Sequence, residues 1–142
     1  MKDLNTIKGL QRNNDTGLLI LRLAIGGFMI IHGISKLFYG IGPIEGLVEA
    51  AGLPAFFAYG VYVGEVVAPL LIILGLATRG AAAVMVFNCI VATLMAHSGD
   101  IFSLSPMGGS AVELLGLYLF GALALVFTGG GKFALSNKYI WD

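Results

Sequence analysis

Four apolar runs, each near the length of a bilayer crossing, constrain this 142-residue chain more than any single motif. A helix needs roughly 20 predominantly apolar residues to cross the hydrocarbon core. The runs fall at about Thr16–Tyr39, Phe56–Leu76, Gly80–His97 and Ala111–Phe127, the last being short. None shows the alternation of a transmembrane β-strand, so all four are read as helices. With 58% hydrophobic and 11% charged residues, too little chain remains for a separate soluble domain. The expected fold is all-α: a single integral membrane domain over 1–142, built as a four-transmembrane-helix bundle.

Connections refine that picture. Between the first two runs, GIGPIEGLVEAAGLPAF offers Pro43 at a helix start and Gly52 at a helix end, which predicts a short interfacial helix. Little more than Thr78–Gly80 separates the second and third runs, so these form an antiparallel hairpin. Gly129–Gly131 end the fourth, and Lys132, Lys138, Tyr139 and Trp141 form an anchor set for the membrane surface. If four helices alternate, Lys2, Lys8, Arg12, Arg79, Lys132 and Lys138 share one side and Lys36 alone faces the other. The positive-inside rule then puts both termini of a multi-pass inner-membrane protein in the cytoplasm. The first run exceeds a signal-peptide core, contains Arg22 and lacks a small-x-small cleavage site, so it is kept as a helix.

Other classes recede. Formal net charge is zero and no Lys/Arg run marks a nucleic-acid footprint. The single Cys89 rules out an intramolecular disulfide or a multi-thiolate metal site from this chain alone, and no metal site is expected. No GxSxG, HExxH, Walker or CxxC pattern points to self-contained hydrolytic or dithiol chemistry.

Polar residues inside the runs are therefore the informative ones, because an intramembrane charge costs about 2.5 to 3.5 kcal/mol unless paired or wet. Helix rise places Arg22 in the inner half of the first run and His32 and Lys36 in the outer half. Glu65 and Asn88 lie near mid-membrane, and His97 and Glu113 near the outer ends of the last two runs. Depth brings Arg22 within about 9 Å of Glu65 and Lys36 level with Glu113, which predicts those two ion pairs. Pro69 lacks the N–H that the Glu65 carbonyl would receive, leaving that carbonyl for Arg22, Asn88, water or a ligand. His32, Lys36, Glu65 and Glu113 are the ligand-pocket or proton-handling candidates, with Arg22, Asn88, Arg79 and His97 as supporting polar groups. The plain alternatives are a snorkelling Lys36, a His32 satisfied by a carbonyl, a capping His97 and an Asn88 that joins helices. A His32–His97 haem pair is disfavoured with only two histidines in the chain.

LRLAIGGFMIIHGISKLF, Glu65 in the second run, LGLATR at Leu74–Arg79, and VELLGLYLFGALALVFTGGGKF together resemble the DoxX family over about residues 17–135. HGISK followed by the second-run glutamate is the most specific element. The resemblance implies a bacterial four-helix membrane protein with Arg22, His32, Lys36, Glu65, Arg79 and Glu113 as its polar positions. It further implies association with redox systems, since members are described as subunits of quinone-linked oxidoreductases, partners of redox-stress enzymes or maturation factors. The expected function is a redox-associated accessory subunit, at most part of a membrane oxidoreductase, binding a quinone-like or small anionic ligand. A noncatalytic assembly factor or scaffold is the main alternative and a small-solute transporter the third. Expected partners are the lipid bilayer and either a redox-complex protein or a second copy, with no nucleic acid; no cofactor other than a quinone is implied.

Overall fold

The computed structural model describes residues 13–142, and these are helical without any named strand. Helix α1 spans Asn14–Tyr39, with the Asn13 side chain accepting the Thr16 N–H as its cap, and it stops at Gly40, where φ is +83°. Helix α2, Gly42–Ala50, starts on Pro43 and is followed by Gly52 at φ +79°. Helix α3, Ala55–Leu74, changes winding along its length: a 3-10 turn at Ala55–Tyr59, a π-helical segment at Val63–Val67, and a regular α segment from Ala68. Helices α4, Thr78–Ala96, and α5, Glu113–Thr128, complete the set. Helices α1, α3 and α4 are long and apolar enough to cross a membrane; α5 is apolar but has 16 residues.

The π segment has a local cause. Pro69 cannot donate to the Glu65 carbonyl and its ring crowds that position, so the preceding turn widens and the Ala68 N–H bonds to the Val63 carbonyl. Helix α1 fills the space beside the widened turn because it presents Gly33 there: a Cβ on Gly33 would overlap the Glu65 carbonyl and carbon. Two turns earlier, a Cβ on Gly26 would lie 2.9 Å from the Pro69 carbonyl and 2.7 Å from Ile73. These glycines set an antiparallel register, Gly33 against Glu65 and Gly26 against Pro69.

The main core joins all four long elements through Met29, Ile72, Met85, Cys89, Tyr118, Ala122 and Leu125. A smaller cluster, Ile41, Val48 and Ala58 with Tyr62 and Met95, packs α2 over the start of α3. The molecule therefore has a loop end, carrying residues 40–54 and 97–112, and a tail end, carrying the 75–77 turn and residues 129–142. At the tail end the Asp142 carboxylate accepts bonds from Ala77, Ser136, Lys138 and Tyr139, and the Gly80 N–H reaches the Trp141 carbonyl at 3.1 Å. Those bonds draw residues 136–142 back onto the start of α4.

Candidate functional site

The centre of the site is an ion pair between the Lys36 ammonium and the Glu65 carboxylate. Glu65 is buried and Lys36 half-buried. The glycine register explains the pairing: Lys36 lies one turn beyond Gly33, so its side chain reaches back along α1 to the acid opposite that glycine. The Tyr62 hydroxyl donates to the Lys36 carbonyl at 3.2 Å, which ties the end of α1 to α3 beside the pair.

Two cavities share this pair as a wall. The larger, about 460 Å³, lies between α2, α3 and α4; it is bounded by apolar side chains such as Leu47, Phe57, Val84, Phe87 and Val91, with Asn88 beside Lys36 and Glu65. Asn88 is seated where a Cβ on Gly64 would meet its side chain, so the small residue makes room for the amide at the cavity wall. The smaller cavity, about 210 Å³, faces α1, α4 and α5 and is lined by Met29, His32, Lys36, Glu65, His97 and Tyr118 among others. The His32 ring stands edge-on to Tyr118 with centroids 5.9 Å apart. His97 lies at the α4 C-terminus, with its Nδ1 3.6 Å from an Asp100 carboxylate oxygen.

Four sequence candidates, His32, Lys36, Glu65 and His97, thus converge, and Asn88 joins them from the apolar side. Others do not. Glu113 is exposed at the first turn of α5 over Gly109, lines neither cavity, and does not pair with Lys36. Arg22 does not pair with Glu65. Its buried guanidinium donates instead to the carbonyls of Ile72 at 3.0 Å, Ile73 at 3.0 Å and Gly130 at 2.7 Å. Two of these are carbonyls at the C-terminus of α3, which a cation satisfies both by hydrogen bonding and by opposing the helix dipole. Arg79 is also at the tail end, away from both cavities, with its Nε buried and unbonded among the described residues. The Glu65 carbonyl lies against Gly33 rather than against Arg22 or Asn88. Sequence reasoning missed Tyr118 and Tyr62; the signal was an amphipathic aromatic with a hydroxyl inside a bundle, which usually places its polar tip on purpose.

Comparison with known proteins decides the kinship. The DoxX family model matches residues 17–98, a stretch that contains HGISK, Glu65 and the α4 wall of both cavities. This chain belongs to the DoxX family. An uncharacterized protein of Haemophilus influenzae is 32% identical over 136 residues, covering 94% of this chain and 98% of the relative. A Bacillus subtilis protein named "Putative oxidoreductase CatD" is 30% identical over 129 residues, covering 89% of each. No solved structure matches. The DoxX chain is thus a membrane protein whose family match spans the lysine–glutamate pair and stops near His97.

Proposed function

We propose that this DoxX protein is a redox-associated accessory subunit of the bacterial inner membrane that binds a quinone-like ligand in the cavity between α2, α3 and α4. The observation that carries the reading is the position of Lys36–Glu65 at the polar edge of an otherwise apolar cavity of about 460 Å³. That volume falls in the range of small-molecule sites, which pair an apolar lining with a few placed polar groups. A quinone ring and its hydrocarbon tail suit such walls, and the Lys36 ammonium and Asn88 amide are donors for its carbonyl oxygens. His32 faces the other side of the ion pair, from the smaller cavity. The oxidoreductase name of the Bacillus subtilis relative agrees with a redox setting.

In this reading α5 is the fourth crossing and α2 lies in the interface as a cover for the cavity. Arg79, Lys132 and Lys138 belong to the tail end, which the positive-inside rule assigns to the cytoplasm; Lys2, Lys8 and Arg12 lie outside the described residues. Purification in mild detergent, followed by an absorption spectrum and mass analysis of bound small molecules, tests the ligand. A co-purifying quinone supports the reading, and a Soret band replaces it with a haem site. Alanine at His32 and at Glu65 tests the pocket: if both variants fold normally and keep the cellular phenotype, the residues only join helices and the scaffold alternative stands.

A further inference from the structure

The smaller cavity differs from its neighbour in chemistry and in where it leads. Along its walls stand His32 and Lys36 from α1, Glu65 from α3, His97 from α4 and Tyr118 from α5. Tyr62 backs the pair from α3, and at the loop end Asp100 faces His97 while Glu113 stands exposed at the start of α5. At about 210 Å³ the cavity has room for roughly seven waters at about 30 Å³ each. His97 and Asp100 are both partly open to the surroundings, so the row of polar groups reaches the surface at the loop end. Towards the tail end the interior closes. Ile72, Met85 and Leu125 are fully buried below the pair, and the Arg22 guanidinium beyond them is occupied by three carbonyls.

We propose that the smaller cavity is a hydrated vestibule through which the Lys36–Glu65 pair exchanges protons with the aqueous phase at the loop end, and with that phase only. His97 and His32 are its proton-carrying side chains. A proton taken up from bulk water at His97 passes through cavity water and His32 to the Glu65 carboxylate. The neutral carboxyl then leaves the Lys36 ammonium to vestibule water and to the Asn88 amide oxygen at the edge of the apolar cavity, and loss of the proton to the same vestibule restores the pair. No electron moves in this exchange. The inference deepens the quinone-site reading, and rests on it only for the identity of what Lys36 meets in the apolar cavity. Under that reading, protons bound or released during quinone chemistry are exchanged on the side opposite the tail.

Full-length protein in proteoliposomes, with Cys89→Ala removing the native thiol, tests the vestibule. Leu115 lines only the smaller cavity and Val84 only the larger. Leu115→Cys is expected to react with a charged, membrane-impermeant methanethiosulfonate added at the loop face and not at the tail face. Ala96→Cys, on the shared rim, serves if that variant does not fold. Infrared detection of the Glu65 carboxyl band, assigned by its loss in Glu65→Gln, gives the proton readout. The band should follow pH changed at the loop face while the tail-face pH is clamped. Absence of labelling at both cysteines, labelling from the tail face, or a carboxyl band that follows tail-face pH overturns the vestibule. Protection of Val84→Cys from a lipid-soluble maleimide by decylubiquinone reports on the larger cavity alone. Loss of that protection with loop-face labelling intact rejects the quinone reading and leaves the vestibule standing.

Discussion

Lys36 on α1 pairs with Glu65 on α3, and the close approach of the two helices at Gly33 is what brings them together. Each charge alone inside a bilayer costs about 2.5 to 3.5 kcal/mol, so the pair exists as a unit. Lys36→Met or Glu65→Gln alone should destabilise the protein by about 2–4 kcal/mol, because an unpaired charge or a broken network is left behind. The double variant should be more stable than the worse single one. Thermal unfolding in detergent across this double-mutant cycle gives the coupling, and additive losses would mean that the two groups do not interact.

Gly33→Ala should cost about 1–3 kcal/mol, since the new methyl must push α1 away from the Glu65 carbonyl. Gly27→Ala, which meets nothing within 4 Å, is the matched control and should be close to neutral. The same unfolding assay separates them.

Arg22→Lys should destabilise by about 3 kcal/mol or more. A single ammonium cannot reproduce the planar fork that serves Ile72, Ile73 and Gly130, and buried carbonyls left unpaired cost about 1 kcal/mol or more each. Ligand affinity in the fraction that folds should be unchanged, because Arg22 lines neither cavity. A selective loss of ligand binding at full stability would return Arg22 to the site.

The contrast between these residues shows what was legible in the sequence. Run lengths located the helices to within a few residues, and Pro43 and Gly52 marked α2, since both signals are local. Helix rise gave depth: it put His32, Lys36, His97 and Glu113 towards the outer side and Glu65 and Asn88 near mid-membrane, whereas the smaller cavity is lined by His32, Lys36, Glu65 and His97 without Glu113. Depth gave no azimuth. The expected Arg22–Glu65 and Lys36–Glu113 pairs failed because register is set by where glycines admit a neighbouring backbone. With Gly33 against Glu65 and Gly26 against Pro69, Lys36 falls to Glu65 and Arg22 to the end of α3. Winding was equally hidden: Pro69 signalled an orphan carbonyl, but not that the turn before the proline widens into a π segment to accommodate it.

Asp142 should make tail docking dependent on pH. Its carboxylate is held below the ordinary aspartate range, first by the Ser136 hydroxyl and then by the N–H groups of Tyr139, Lys138 and Ala77. A depressed folded-state pKa means that the stabilisation is complete above the ordinary value near 3.8 and is lost as pH falls through the lower folded value. Trp141 fluorescence should therefore report release of the tail only in acid below that range. Asp142→Asn should abolish the transition; an unchanged transition would place its cause elsewhere.

The most direct test of the account is where a quinone sits. A photoreactive azidoquinone, illuminated on the full-length protein in nanodiscs and mapped by peptide mass spectrometry, should label the α4 wall at Val84, Phe87, Asn88 or Val91. Excess decylubiquinone should suppress that labelling, and Glu65→Gln should weaken it several-fold. Labelling spread over exposed apolar residues outside both cavities, such as Phe28 and Phe120, with no competition by decylubiquinone, would contradict a quinone site at the Lys36–Glu65 pair.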